Sequence, residues 1–338
     1  MTVNDFKRSQ PVSSVLDLIG STPMVELHRV SALLEIPGNF EVFAKCEFTN
    51  PGGSVKDRIA LRMIREAEIS GRIRPGDTLI EATSGNTGIG LSLVGAILGY
   101  KVIVTLPEKM SGEKVNMMRA LGADIRRTPT EAAWDSPDSH ISLAKKLHAT
   151  IPRSHILDQY NNPFNPLAHY DSTAEEILTQ MDSRVDAVFV GTGTGGTLTG
   201  IARKIKQKIP GCLIIGVDPC GSILAQPEIL NDYKRLEPNL VEGIGYDFIP
   251  CALDRSLVDE WVKVDDDEAF RFARLLIRTE GLLVGGSSGS VFAAVNDWVK
   301  RSSITRSFRI VIILPDGSRN YMSKFIDDKW LTSHGFTL

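Results

Sequence analysis

The chain has 338 residues, of which 42% are hydrophobic and 23% charged, and this composition predicts a globular protein with a large buried core. There are 38 lysines and arginines against 41 acidic residues, so the net charge of −3 offers no basic excess for a nucleic-acid partner. The polar N-terminus, the short apolar runs and the scattered cysteines exclude a secretory signal, a membrane span and a metal site, and they predict a cytoplasmic protein.

Apolar runs of strand length alternate with longer helical patterns along the chain. The strand-like runs are 77–82, 100–107, 186–191, 213–219 and 308–316. Helical patterns follow the first three of these runs at 85–99, 111–122 and 197–209. This alternation predicts an α/β fold of parallel sheets covered by helices, in which ligands bind at the carboxyl ends of the strands. A polar stretch at 128–165 is interpreted as a link between two lobes.

The first motif that could carry chemistry is PGGSVKDR at residues 51–58. Pro-Gly-Gly favours a turn, Ser54 is a candidate N-cap, and Asp57 would complete a variant capping box. Lys56 is therefore predicted in the first helical turn, where the helix dipole disfavours an ammonium and favours a neutral amine or an imine. A solvated lysine beside a helix cap is the alternative interpretation.

The second motif is ATSGNTGIG at residues 82–90, between a strand-like run and a helical pattern. Backbone N–H groups and hydroxyls at a helix N-terminus form a concave site that suits a carboxylate or a phosphate. A tight turn before an ordinary helix is the alternative.

The third motif is GTGTGGT at residues 191–197, directly after a strand-like run. Its N–H groups and the dipole of the following helix favour a bound phosphate. The same segment also matches G-x-G-x-x-G, and Asp218 stands 22 residues beyond Gly196 at the end of the next strand-like run. Taken alone, this motif leaves a nicotinamide-dependent oxidoreductase open.

Two further glycine motifs are weaker. In LLVGGSSGSV at residues 282–291, a strand-like run meets a helix whose serines could cap it or bind a ligand nitrogen. EGIGYDF at residues 242–248 is interpreted as a glycine-rich strand end that a ligand could approach closely.

The five motifs, in this order, resemble those of the fold type II pyridoxal-phosphate (PLP) enzymes of the cysteine synthase and cystathionine β-synthase group. The resemblance covers residues 22–330. It implies one catalytic unit of two lobes, each a mostly parallel sheet flanked by helices, as in the tryptophan synthase β subunit. The smaller lobe would span about 45–158, with a mobile part at about 86–133, and the larger one about 22–44 and 159–338. A homodimer is also implied.

The same resemblance assigns roles to individual residues. Lys56 would be the catalytic residue, joined to PLP by an imine, and Asn86 would contact the 3′-oxygen of the cofactor. Ser287 would contact the pyridine nitrogen. The phosphate would be bound by Gly193, Thr194, Gly195, Gly196 and Thr197. The substrate would be bound by Thr83, Ser84, Gly85, Thr87, Gln159, Tyr160, Gly243, Gly245 and Tyr246.

The implied reaction is replacement of the β-substituent of a small amino acid. A neutral serine does not keep the pyridine nitrogen protonated, and this suits β-elimination and addition better than transamination. EGIGYDFIP and the segments 161–174 and 318–330 favour the cystathionine β-synthase type, which joins L-serine and L-homocysteine. Neither the haem-binding segment nor the regulatory domains of animal members is expected in this sequence.

Three alternatives stay open to different degrees. Cysteine synthesis from O-acetylserine and L-3-cyanoalanine synthesis from cysteine and cyanide would use the same core. A nicotinamide oxidoreductase rests on the third motif alone. A catalytically silent member that serves as a binding scaffold is disfavoured, because the lysine and serine loops are intact.

Overall fold

The computed structural model describes residues 11–83, 85–108, 110–129, 135–231 and 239–337. The strands are β1 (Met24–Glu26), β2 (Phe40–Cys46), β3 (Thr78–Ala82), β4 (Lys101–Pro107), β5 (Asp124–Thr128), β6 (Ser154–Ile156), β7 (Ala187–Gly191), β8 (Leu213–Pro219), β9 (Glu260–Val264) and β10 (Phe308–Leu314). The helices are α1 (Arg29–Leu33), α2 (Lys56–Ile69), α3 (Asn86–Leu98), α4 (Gly112–Ala120), α5 (His140–Thr150), α6 (Phe164–Ala168), α7 (Ala174–Gln180), α8 (Gly196–Lys208), α9 (Asp266–Glu280), α10 (Gly286–Arg301) and α11 (Asp328–Ser333).

The strands form two sheets in the described part of the chain. The larger sheet has the order β1-β2-β10-β7-β8-β9, with β1 antiparallel to β2 and all other neighbours parallel. The smaller sheet has the order β5-β4-β3-β6 and is entirely parallel. The prediction of an α/β fold with two mostly parallel sheets is confirmed. No helix within these described ranges is long and apolar enough to cross a membrane.

The hydrophobic pattern explains why these strands are central. Every residue of β3 is buried, and in β10 only Arg309 reaches partial exposure. Strands buried on both faces are near-continuously apolar, as expected for parallel sheets covered by helices. Helix α3 is likewise buried around most of its circumference. A Cβ at Gly90 would lie 3.0 Å from the Lys56 carbonyl oxygen, so this glycine lets α3 pack against the start of α2.

The polar stretch at 128–165 contains regular structure that its composition does not suggest. It carries α5 and β6, and β6 forms the edge of the smaller sheet against β3. Ala144 of α5 packs on Ile80 and Ile103 of that sheet. The pattern was missed because α5 has a narrow apolar face among many polar residues. The lobe boundaries of the sequence analysis remain a prediction.

A buried ionic network ties the start of α2 to the larger sheet. The Arg58 guanidinium contacts Glu47 Oε2 and Glu176 Oε1, each at 2.7 Å, and its side chain is only 3% exposed. Lys45 Nζ of β2 lies 2.7 Å from Glu176 Oε2. Burial opposes ionisation of Glu176, but the Arg58 hydrogen bonds and the neighbouring cations outweigh it and lower the pKa of Glu176 to about 2. This stabilisation is present above the ordinary carboxyl pKa and is lost as the pH falls toward 2.

We expect Arg58→Leu to lower the free energy of unfolding by about 3–5 kcal/mol, because it leaves buried carboxylates without their cation. Arg65→Ala is the matched control, since Arg65 is 49% exposed and pairs with Glu68 on the same helix. That exposed pair contributes less than about 1 kcal/mol. Urea unfolding of the cofactor-free protein measures both, and equal losses would contradict the prediction.

Candidate active site

One cleft collects residues from all five sequence motifs. It lies at the carboxyl ends of β7 and β10, beside the N-termini of α2, α3, α8 and α10. Its lining includes Lys56, Asn86, Gly193, Gly243 and Ser287. Motifs spread over some two thirds of the sequence therefore meet where the strand topology places a ligand.

Lys56 is the first residue of α2 and lies in the wall of the cleft. Burial lowers the pKa of its amine to about 8, Asp316 opposes this shift, and Lys114 adds to it. The expected capping box is wrong. Val55 occupies the N-cap position, Ser54 Oγ accepts from Lys56 N at 3.2 Å, and the Asp57 carboxylate turns back to accept from Gly52 N.

The second motif forms a turn that is held by its own side chains. Thr83 Oγ1 accepts from Gly85 N at 3.1 Å. Thr87 Oγ1 donates to Gln159 Oε1 at 2.6 Å, and Gln159 Nε2 donates to the Ala82 carbonyl at 3.1 Å. The structure thus brings four of the predicted substrate-binding residues together. Ser84, a fifth, lies outside the described residues.

The glycine loop between β7 and α8 has the features of a phosphate cradle. Gly195 is the N-cap of α8 with φ +83°, and no side chain caps this helix. The N–H groups of its first turn are therefore left for a ligand. A Cβ at Gly193 would lie 2.4 Å from the Gly243 carbonyl oxygen, so the close approach of these loops requires glycine. Asn165 Nδ2 donates to Thr194 Oγ1 at 3.1 Å.

A dinucleotide site at the same loop would need Asp218 as the acidic residue that binds the ribose. Asp218 is buried, and Lys263 Nζ lies 2.7 Å from its Oδ2. Ala225 N also donates to this carboxylate, at 3.2 Å. Asp218 is 0% exposed and does not line the cleft, so its carboxylate does not reach the ribose hydroxyls of a nucleotide bound there.

The serine motif lies inside α10 and does not cap it. Gly285 is the N-cap, and no side chain accepts from the first turn. Ser287 is buried and lines the cleft, so it is placed to contact a ligand there. The strand expected before it is absent from the described structure, which shows only an isolated bridge between Val284 and Gly317.

The EGIGYDF segment is an irregular loop and not the strand end that the sequence suggests. Gly243 and Gly245 have φ values of +94° and +82°, which disfavour any other residue type. The Tyr246 ring packs edge-on against Tyr160, with ring centroids 5.5 Å apart. Their hydroxyl oxygens are 3.5 Å apart, and burial raises the pKa of Tyr160 well above its usual value. The two tyrosines and Phe248 form one aromatic cluster.

Sequence reasoning missed residues that contact the predicted ones. Asp316 lines the cleft, and Asn86 Nδ2 donates to it at 2.7 Å. His169 Nε2 lies 3.1 Å from Thr197 Oγ1. Asp316 follows a strand at its carboxyl end, and this position was the one local indication. His169 lies in a helical segment far from the loop in sequence, so no local pattern could have identified it.

These residues fit PLP, the cofactor that the sequence resemblance implies. Lys56 provides an amine with a pKa of about 8 in the cleft wall. The uncapped α8 N-terminus and its glycine loop offer donors for a phosphate. Ser287 adds a neutral hydroxyl to the lining of the same cleft.

We expect Gly195→Ala to weaken PLP binding by at least about tenfold, equivalent to about 1.4 kcal/mol. An added Cβ would lie 2.3 Å from Leu253 Cβ at a backbone with φ +83°, so the phosphate loop must shift. Gly211→Ala, at the far end of α8, has open space for its Cβ and should bind PLP like the parent. Fluorescence titration of the cofactor-free proteins measures the PLP affinity of both variants. Unchanged PLP affinity in Gly195→Ala would refute phosphate binding by this glycine loop.

Comparison with known proteins agrees with this geometry. The sequence model of the family described as pyridoxal-phosphate dependent enzyme matches residues 15–316. The chain is 59% identical over 325 residues to a cystathionine β-synthase of Dictyostelium discoideum, which covers 96% of this chain. The match covers 64% of that relative, so the chain spans less than two thirds of its length.

Two solved structures share the fold over nearly their whole length. The O-acetylserine-dependent cystathionine β-synthase of Helicobacter pylori is 38% identical with a TM-score of 0.84, covering 93% of this chain and 98% of that one. A hydrogen sulfide-producing enzyme of Fusobacterium nucleatum is 36% identical with a TM-score of 0.84, covering 92% and 100%. With the family match, these similarities confirm the resemblance seen in the motifs, and the chain belongs to the family of pyridoxal-phosphate-dependent enzymes.

Proposed function

We propose that the chain catalyses PLP-dependent β-replacement of the cystathionine β-synthase type, joining L-serine and L-homocysteine to L-cystathionine. The observation that carries this proposal is the single cleft in which Lys56 meets the glycine loop and Ser287. The high identity to relatives named cystathionine β-synthase, over almost the whole of this chain, supports the substrate class.

When bound, PLP supplies an electron sink that lets an amino acid lose its α-proton and then its β-substituent. Lys56 would hold the cofactor, and its released amine, with a pKa of about 8, is suited to take up the α-proton near neutral pH. The buried Ser287 hydroxyl would face the ring nitrogen without protonating it. The chain therefore favours a brief loss of the α-proton over transamination.

The substrate carboxylate would bind at the turn formed by the second motif. Thr83 has a hydroxyl proton to donate there. Gly85 N and Thr87 Oγ1, which donate to Thr83 Oγ1 and Gln159 Oε1, would exchange these partners for the carboxylate. Gln159 links this turn to the loop that carries Tyr160. We infer that Ser84 belongs to the same carboxylate site, by its position in the motif. Closure of the segment at about 86–133 over the substrate would exclude water.

The aromatic cluster of Tyr160, Tyr246 and Phe248 would meet the second substrate. Its apolar rings suit the methylene groups of homocysteine, which sulfide and cyanide lack. Cysteine or L-3-cyanoalanine synthesis is the alternative on the same core. The Helicobacter pylori relative is described as O-acetylserine-dependent and the Fusobacterium nucleatum relative as hydrogen sulfide-producing, and both descriptions favour keeping this alternative.

The oligomeric state and the cellular compartment are also proposals. We propose a homodimer, as the family resemblance implies, and a cytoplasmic protein. The buried free thiols of Cys46 and Cys212 support a reducing compartment. We propose one catalytic unit of two lobes, the smaller at about 45–158 and the larger at about 22–44 and 159–338, with the mobile part at about 86–133.

A competition between nucleophiles tests the proposed substrate. The holoenzyme is supplied with L-serine and with homocysteine, sulfide or cyanide, and kcat/KM is compared for each product. We expect homocysteine to be preferred, and Tyr246→Ala to reduce this preference by about tenfold, because one apolar contact contributes about 1–3 kcal/mol to discrimination. Tyr100→Phe, remote from the cleft, is the control. A preference for sulfide or cyanide in the parent enzyme would favour the alternative function.

A further inference from the structure

Asp316 is a buried carboxylate that the proposed chemistry has not used. It follows β10 after Pro315, is 1% exposed, and lines the cleft together with Lys56 and Asn86. Burial raises the pKa of Asp316, whereas the Lys114 charge and the Tyr321 and Asn86 hydrogen bonds favour its ionised form. Burial of a carboxylate is costly unless its hydrogen bonds compensate for the lost water, so the partners of Asp316 matter.

The backbone of Asp316 joins two of the helix starts that surround the cleft. Its carbonyl accepts from Gly285 N, the N-cap of α10, at 2.9 Å. An antiparallel bridge joins it to Ser54, just before α2. Its side chain reaches the third helix start through Asn86, the first residue of α3. Asp316 is therefore held rigidly among the elements that carry the predicted cofactor contacts.

The hydrogen bonds of Asp316 have a fixed direction. Lys114 Nζ lies 3.0 Å from the Tyr321 hydroxyl, and an ammonium can only donate. Tyr321 must then give its own proton to Asp316 Oδ2, at 2.5 Å. Asn86 Nδ2 donates to the same carboxylate oxygen at 2.7 Å. In its ionised form, which Lys114, Tyr321 and Asn86 favour against burial, the carboxylate accepts from both neighbours and donates to neither.

This direction fixes the orientation of the Asn86 amide. One of its two N–H groups is committed to Asp316, and its Oδ1 accepts from Asn320 Nδ2 at 3.2 Å. A flipped amide would place its carbonyl oxygen against the carboxylate, and two acceptors repel. The second N–H makes no hydrogen bond among the described residues, so it is the group left for a ligand in the cleft.

We propose that Asp316 is a positioning residue, which locks Asn86 so that an N–H and not the carbonyl faces the 3′-oxygen of PLP. The proposal rests on the Asn86 contact within the proposed function and not on the identity of either substrate. It acts through geometry, since Asp316 reaches the cofactor oxygen only by way of the amide. In Asp316→Asn, the new amide could donate or accept, and both orientations of Asn86 would then be populated.

A double-mutant cycle tests this coupling in the substrate-free protein. The variants are Asp316→Asn, Asn86→Ala and the double variant, with Asp297→Asn, exposed on α10, as the control. The PLP dissociation constant and the absorbance maximum of the bound cofactor are measured for each. We expect Asp316→Asn to weaken PLP binding by about tenfold, the size of one hydrogen bond to a charged group, and to shift the absorbance maximum.

The losses of PLP affinity in Asp316→Asn and Asn86→Ala should not be additive in the double variant. In the Asn86→Ala background, Asp316→Asn should change PLP affinity by less than about threefold, because the amide it positions is gone. A full tenfold loss in that background, or an unchanged affinity and spectrum in Asp316→Asn alone, would overturn the proposal. Failure to form cystathionine would leave these binding results intact, so the two proposals fail separately.

A second variant covers the case in which Asp316→Asn does not fold. Asn320→Ala removes the donor to the Asn86 carbonyl and leaves the carboxylate in place. We expect about threefold weaker PLP binding in the parent background, for one neutral hydrogen bond, and no change in Asn86→Ala. An effect of equal size in both backgrounds would show that the amide is not what these residues position.

Discussion

The structure depends on one distance, that between an amine at the start of α2 and a glycine loop at the start of α8. Lys56 and Gly195 come from distant parts of the chain, yet they line the same cleft. A cofactor held by both a lysine and a phosphate loop requires these two helix starts to keep their separation. The Arg58 network tethers α2 to the larger sheet, and Gly90 lets α3 pack closely on it. Packing around the start of α2 therefore sets the geometry of the cleft.

The electrostatics of the cleft follow from what is buried there. The Lys56 amine loses basicity by burial, while the Asp316 carboxylate nearby limits this loss. Ser287 adds a polar but neutral group. Lys114 and Lys324 both contact the Glu242 carboxylate, at 2.7 Å and 2.5 Å, and Lys114 also contacts the Tyr321 hydroxyl. The site thus combines an amine of lowered basicity with directed hydrogen bonds, an arrangement suited to proton transfer near neutral pH.

Much of the fold was predictable because its signals are local. The runs at 77–82 and 100–107 became β3 and β4, since buried parallel strands are apolar throughout. The wrong predictions also have physical causes. The apolar face of α5 is narrow and lies among polar residues, so its helical period was not recognised. Helix α2 begins one residue later than an N-cap at Ser54 would require, with Val55 at the N-cap. The five motifs located the cleft, but Asp316 and the roles of its neighbours depend on contacts between distant segments, which no local pattern contains.

Lys56 is proposed to be covalently joined to the cofactor, and chemical trapping tests this linkage most directly. Borohydride reduction of the holoenzyme, followed by proteolysis and mass spectrometry of the peptides, locates the lysine that carries the pyridoxyl group. We expect the pyridoxyl group on Lys56 alone, at about one per chain. A label on any other lysine, or a yellow protein that borohydride leaves unlabelled, would contradict the account.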